Sequence, residues 1–274
     1  MREQRLEEIV GSYNAAAPLE DASTISAAWY VDPRIAELER QTVFSRTWQV
    51  VARTDQLRAA GDFVTATVAG EPIVAARGAD GVLRAFFNVC RHHAAAVATE
   101  PAGNTNVLRC PYHGWTYGLD GTLKGLPEFD GVCNFDRANN SLVPIRVEPW
   151  ENFVWVNFDP AAPSLHEFLG SLPQRVAPLN LRQLHFVERR VYTLQCNWKV
   201  YVDNYLDGGY HVPHLHKSLN SVLDYVEYTI ENQDRFCLQS SPIQSSGGDA
   251  TTAAVRQGRA YYYWQYPNFM FNVY

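Results

Sequence analysis

The spacing of hydrophobic and polar positions changes twice along the chain, and each change predicts a different kind of structure. Residues 1–30 are mostly polar and read as a leader. Asp32-Pro33 then supplies an N-cap and a first helical position, with Ile35, Leu38 and Phe44 on one side of a helix expected to end near Ser45. From Trp48 to Asp159 the pattern becomes short β-rich runs at 63–68, 73–76, 82–89, 143–147 and 153–158. Asp80-Gly81 and Asp120-Gly121 mark hairpins, on the expectation of a tight turn whose two central residues both take positive φ.

Past Pro160 the pattern changes again. Ser164 and Glu167 form a capping box for a short helix that Gly170 and Pro173 would end. Beyond it, 186–194, 225–230, 236–239 and 261–266 read as strands, and 200–216 reads as a helix. The expected class is α+β in three parts: a leader and helix (1–45), an all-β module (46–159) and a sheet-and-helix domain (160–274). No internal repeat and no low-complexity segment stands out.

Composition narrows the possible chemistry. A 274-residue chain with 46% hydrophobic and 19% charged residues is globular rather than disordered. A net charge of −6 with scattered arginines offers no footprint for a phosphate backbone, so nucleic acid is not an expected partner. The amino terminus mixes Arg2, Glu3, Arg5, Glu7 and Glu8 and lacks the apolar centre of a secretory signal. No apolar run approaches the roughly 20 residues that cross a bilayer. A cytoplasmic chain without membrane contact is expected. In that compartment five cysteines read as metal ligands or buried thiols rather than disulfides.

Spacing selects the ligands. Cys90-Arg91-His92 is followed, after seventeen residues, by Cys110-Pro111-Tyr112-His113 and then Gly114-Trp115-Thr116-Tyr117. One cysteine and one histidine from each of two loops is the set required by a [2Fe–2S] cluster with two cysteines on one iron and two histidines on the other. The same four residues would also close a tetrahedral zinc shell. The β-rich setting, and an aromatic at Trp115 to shield the group from water, favour the cluster. His93 has no counterpart in the second loop and is expected at the surface or behind a ligand. Cys133, Cys196 and Cys237 are isolated and expected to be buried thiols.

The second constellation is Asn197-Trp198-Lys199 followed by Asp203-Asn204-Tyr205-Leu206-Asp207-Gly208-Gly209-Tyr210-His211-Val212-Pro213-His214-Leu215-His216. Non-haem Fe(II) that activates O2 is held by two histidines and a carboxylate on one face. His211 and His216, with acids upstream, are the local half of such a site. His214 is out of step and receives no role.

With both constellations the chain resembles, from about residue 28 onward, the α subunits of Rieske non-haem iron oxygenases, the ring-hydroxylating dioxygenase family. The run Asp203-Asn204-Tyr205-Leu206-Asp207, with Tyr210-His211-Val212-Pro213 and Leu219-Asn220-Ser221-Val222-Leu223-Asp224-Tyr225, is similar to choline monooxygenase-like members. The extra cysteine pair of respiratory Rieske proteins is missing. The resemblance implies Cys90, His92, Cys110 and His113 as ligands of a Rieske [2Fe–2S] cluster, and His211 and His216 as ligands of a mononuclear Fe(II). It gives Asn204 as the family's asparagine near the iron. Asp207 becomes the acid that links an iron histidine to a cluster histidine of a neighbouring subunit, an electron path through His113, Asp207 and His211. That acid normally stands three residues before the first histidine, where this chain has Gly208.

The resemblance further implies a homotrimer, a catalytic domain of the helix-grip type with the N-terminal helix packed on it, and a third ligand carboxylate from a downstream helix. No residue here matches that carboxylate. Asp224, Glu227, Glu231 and Asp234 are expected to be surface charges, and the catalytic domain is expected to be incomplete at its C-terminal end. No Gly-rich dinucleotide fingerprint is present, so electrons would come from a separate NAD(P)H-dependent flavin/iron–sulfur reductase. The expected activity is O2-dependent hydroxylation of a small organic substrate such as choline. Tyr261, Tyr262, Tyr263, Trp264 and Tyr266 either form an aromatic cage for its cation or simply alternate along a strand. The alternatives are an arene-hydroxylating dioxygenase, an electron carrier with an inactive second domain, and a zinc-stabilised binding module.

Overall fold

The structure, a computed structural model, describes residues 5–221, 223–243 and 258–273. Of the residues named above, Arg2, Glu3 and Val222 lie outside them. The chain divides into two compact units: Arg40–Phe168 with Asn180–Leu184, and Met1–Glu39 with Leu169–Leu179 and His185–Tyr274.

The first of these is built mainly of β-strands. Its strands are β1 (Gln49–Arg53), β2 (Asp62–Val68), β3 (Glu71–Arg77), β4 (Leu83–Phe87), β5 (Ala102–Asn104), β6 (Val107–Arg109), β7 (Thr116–Gly118), β8 (Leu123–Gly125), β9 (Pro144–Trp150) and β10 (Phe153–Asn157). Among the described residues they form an antiparallel sheet in the order β1-β10-β9-β4-β3-β2-β5 and a smaller one in the order β6-β7-β8. The run 73–76 is apolar without interruption because β3 is covered on both faces. Ile73 and Ala75 join one hydrophobic layer with Leu57, Val64 and Val154, while Val74 and Ala76 join another with Phe63, Phe86 and Tyr117.

The two hairpins differ from the expected turn. In each, the last glycine donates to the first residue of the turn (Gly81 to Gly78, Gly121 to Gly118), and of the Asp-Gly pair only the glycine takes a positive φ, 75° and 82°. Each is a type I turn followed by a bulge glycine, built from a repeated Gly-x-Asp-Gly-x-Leu pattern that was not apparent as a repeat. Asp80 and Asp120 accept the N–H groups of Val82 and Thr122, which fixes the same bend twice.

The second unit opens with the helices α1 (Leu6–Val10), α2 (Ala28–Val31) and α3 (Pro33–Glu39). Asp32 accepts the Arg34 N–H at the start of α3, as its N-cap position requires. The helix passes into a wider π turn over Arg40–Phe44 rather than continuing as α-helix to Ser45. The Ser164–Glu167 box caps α4 (Leu165–Leu169), at the end of the first unit's long segment, and α5 (Leu172–Val176) follows in the second unit. Then follow α6 (Trp198–Leu206), α7 (Val212–Leu215), α8 (Lys217–Asn220) and the sheet β11 (Thr229–Asn232), β12 (Phe236–Pro242), β13 (Arg259–Gln265) and β14 (Phe269–Val273), antiparallel in that order.

Several sequence-based expectations are corrected in this unit. The helix expected over 200–216 is broken into two, α6 and α7, because Gly208 and Gly209 take φ of 75° and 71°, outside helical geometry. The strand expected over 186–194 has no ladder among the described residues: Val187 is 90% and Tyr192 76% exposed, and β propensity without a neighbouring strand does not produce one. Residues 225–228 turn instead of extending, since Asp224 Oδ1 accepts the Val226 N–H. Cys196 in this unit and Cys133 in the first are exposed, and Cys237 is buried as expected. No helix among the described residues is long and apolar enough to cross a membrane.

Candidate metal centres

Two loops of one shape hold the first group of ligand-type residues. In the first, the Cys90 N–H donates to Ala95 O and the Ala94 N–H donates to Cys90 O; in the second, Cys110 N–H donates to Trp115 O and Gly114 N–H to Cys110 O. Ala94 and Gly114 occupy the same left-handed position, φ 60° and 73°. Both thiols are 2% exposed and unpaired with each other, whereas His92 and His113 lie at the exposed edge with ring centroids 4.6 Å apart. Trp115 stacks on His92 at 4.8 Å and 7°, and Tyr112 on His113 at 3.9 Å. The His92 pKa is lowered, first by desolvation and then by the neighbouring His93 and His113, which favours the neutral imidazole that ligates metal. His93 stands beside both rings, 4.1 Å from His92 and 5.2 Å from His113.

Two side chains that shape these loops were not singled out from the sequence. Tyr117, fully buried, has its hydroxyl 3.4 Å from Cys90 Sγ and accepts the Arg91 N–H at 3.0 Å; burial pushes its pKa well up, helped by the Cys90 thiol. Asn88 accepts the N–H groups of Val97 and Ala98 and donates to Ala98 O, tying the strand before the first loop to the chain after it. Tyr117 sits on β7, two residues beyond Trp115, and Asn88 directly follows β4; neither position carries a sequence signal for these contacts.

The second group lies after α6. Asp207 Oδ2 is 2.5 Å from His211 Nδ1, and Asp207 Oδ1 accepts the Gly209 N–H at 3.1 Å. The glycine turn folds the chain back so that an acid four residues before the histidine still reaches it. The His211 and His216 rings are 5.0 Å apart at 75°. Asn204 is exposed near the end of α6. Among the described residues no three His, Cys, Asp or Glu side chains are grouped closely enough to hold a single ion. Of the downstream acids, Glu231 pairs with Arg175, and Glu227 and Asp234 are exposed.

Strand alternation divides the aromatic run. Gln239, Tyr262 and Asn272 are in register across β12, β13 and β14, and Gln239 and Asn272 bond Tyr205 of α6, so Tyr262 and, two residues on, Trp264 share the face that carries α6. Tyr261 and Tyr263 point to the other face, where Tyr263 donates to Arg175 O.

Comparison with known proteins agrees with this arrangement. Residues 47–136 match the Rieske [2Fe-2S] domain, and residues 181–274 match the ring-hydroxylating α subunit catalytic domain. The carnitine monooxygenase oxygenase subunit of Escherichia coli (strain K12) is 35% identical over 95% of this chain and 70% of its own length. The chain belongs to the Rieske non-haem iron oxygenase α-subunit family. Family members of this kind carry a Rieske cluster and a mononuclear iron, and the donor sets above fit both: two buried thiols with two imidazoles, and an anchored imidazole with a second beside it. Chloroplastic choline monooxygenase of Arabidopsis thaliana is 36% identical over 98% of this chain, which spans 66% of that relative. A solved quaternary ammonium Rieske monooxygenase superposes with a TM-score of 0.82 at 33% identity, covering 89% of this chain and 67% of that one. The chain thus spans about two thirds of the relatives it matches.

Proposed function

We propose that the chain is the oxygenase component of a cytoplasmic Rieske-type monooxygenase that hydroxylates a quaternary ammonium compound, with Cys90, His92, Cys110 and His113 holding the cluster and His211 and His216 holding the iron. The observation that carries this reading is the Asp207–His211 contact. A carboxylate on the far nitrogen of an imidazole is how proteins aim a metal-ligating histidine.

When bound, the cluster supplies electrons one at a time and the iron supplies O2 activation. Cys90 and Cys110 present sulfur donors from a buried position, and Trp115 and Tyr112 each stack on one face of an imidazole, holding its orientation. Asp207 keeps the proton of His211 on Nδ1, so Nε2 remains a lone-pair donor. Each Asp207 oxygen retains acceptor capacity for a cluster histidine of a neighbouring copy, as the family's trimeric electron path requires. A separate NAD(P)H-dependent reductase would deliver the electrons.

The quaternary ammonium class is supported by the relatives named for choline and carnitine, and by Tyr262 and Trp264, which offer aromatic faces on the side of the sheet that carries α6. The test is a single-turnover assay: chemically reduced protein, O2, and either a trimethylammonium compound or a bicyclic arene. The proposal expects oxidation of the ammonium compound alone. Conversion of the arene with the ammonium compound untouched would overturn it.

A further inference from the structure

The seam between α3 and α6 carries a buried charge that the proposed chemistry does not use. Glu39, the last residue of α3, is 6% exposed. Its carboxylate accepts from Lys199 Nζ at 2.6 Å and from Trp198 Nε1 at 2.8 Å. Lys199 is also nearly buried, and it stands in the first turn of α6, where the aligned N–H groups already place positive partial charge. An ammonium at that place is disfavoured by desolvation and by the helix dipole together, and Glu39 offsets both.

The same end of α6 is fastened at neighbouring points. The Asn197 side chain caps the helix by accepting the Lys199 N–H and donates to Tyr30 O at 3.1 Å. One turn later Tyr30 donates its hydroxyl to Asp203 at 2.6 Å. Tyr266, beyond the end of β13, lies close enough that the Glu39 charge adds to burial in raising its pKa. Glu39 is therefore the anionic centre of a junction between α3, α6 and the β13–β14 turn. From that junction α6 runs directly into Asp207, the glycine turn and His211.

We propose that Glu39 is a positioning residue for the mononuclear iron centre: by holding Lys199 and Trp198 it sets the rotation of α6, and with it the approach of Asp207, His211 and His216. This rests on the reading of His211 and His216 as iron ligands. Glu39 touches neither metal nor substrate, and its effect is exerted through the helix. The nearly isosteric Glu39→Gln change leaves Trp198 an acceptor and removes the counter-charge from Lys199.

The test compares wild type, Glu39→Gln, Glu39→Gln with Lys199→Met, and His211→Ala, each as the intact cluster-loaded chain. Anaerobic Fe(II) titration reads the mononuclear centre, electron paramagnetic resonance of the nitric oxide adduct reads its geometry, and acid-labile sulfide reads the cluster. Glu39→Gln is expected to weaken Fe(II) binding about tenfold, as loss of an outer support does, and to broaden the nitrosyl signal at unchanged sulfide. Removing the ammonium as well should recover most of the affinity. Glu39→Gln with wild-type affinity and signal overturns the proposal, as does parallel loss of sulfide, which marks a general structural role. If His211→Ala binds like wild type, or wild type binds no iron beyond the cluster, the ligand reading fails and takes this proposal with it.

Discussion

At the proposed mononuclear centre one carboxylate has two tasks: Asp207 Oδ1 holds the turn through the Gly209 N–H, and Oδ2 holds His211. An asparagine would keep the volume and lose the anionic acceptor. Asp207→Asn is expected to weaken Fe(II) binding and slow single turnover by about 10–100-fold; iron titration and rapid-quench yields check this. At the proposed cluster site, the Tyr117 hydroxyl beside Cys90 Sγ would stabilise the reduced, more negative state. If that hydrogen bond contributes about 1 kcal/mol, its loss in Tyr117→Phe lowers the one-electron potential by about 40 mV, measurable by redox titration. The proposed ligands of both centres could be picked from the sequence because their chemistry restricts residue type and spacing together. Tyr117 and Asn88 act through hydrogen bonds to particular backbone atoms, and no spacing rule carries that information.

Single glycines decide how the elements end. Gly81 and Gly121 occupy equivalent turns, yet a Cβ on Gly81 meets open space while one on Gly121 would lie 2.4 Å from the Phe86 ring. Gly81→Ala should cost only the left-handed backbone term, roughly 1–2 kcal/mol, and Gly121→Ala clearly more, because the Phe86 core must move; thermal unfolding of the two variants gives the order. Gly209→Ala combines φ of 71° with a contact 3.0 Å from Tyr228, and should loosen Asp207 from His211. The β-module was readable because its runs repeat at the period of a strand and its turns carry Asp-Gly. The turn type was not, since Asp-Gly serves both the two-residue turn and the type I turn with a bulge. The region 200–216 misled because its apolar spacing continues across the glycines, and 186–194 because side-chain pattern speaks for a strand without naming its neighbour.

For the molecule as a whole, acid should be the first stress to tell. Asp80 is held down to about 2 by Arg84 and the Val82 N–H, and Asp62, Asp120 and Glu167 are lowered by the hydrogen bonds they accept. Groups whose folded pKa lies below the unfolded value stabilise the fold above the usual carboxylate range and lose that contribution as pH falls through the folded pKa. The melting temperature should therefore drop between about pH 4 and 2; a rise over that window contradicts it. The two-centre architecture is the central claim, and iron and acid-labile sulfide per chain, on anaerobically purified protein, test it most directly. The account expects about two sulfides and about three irons, the third lost in His211→Ala. Zinc without sulfide would contradict the cluster, and two irons that His211→Ala leaves unchanged would contradict the second centre.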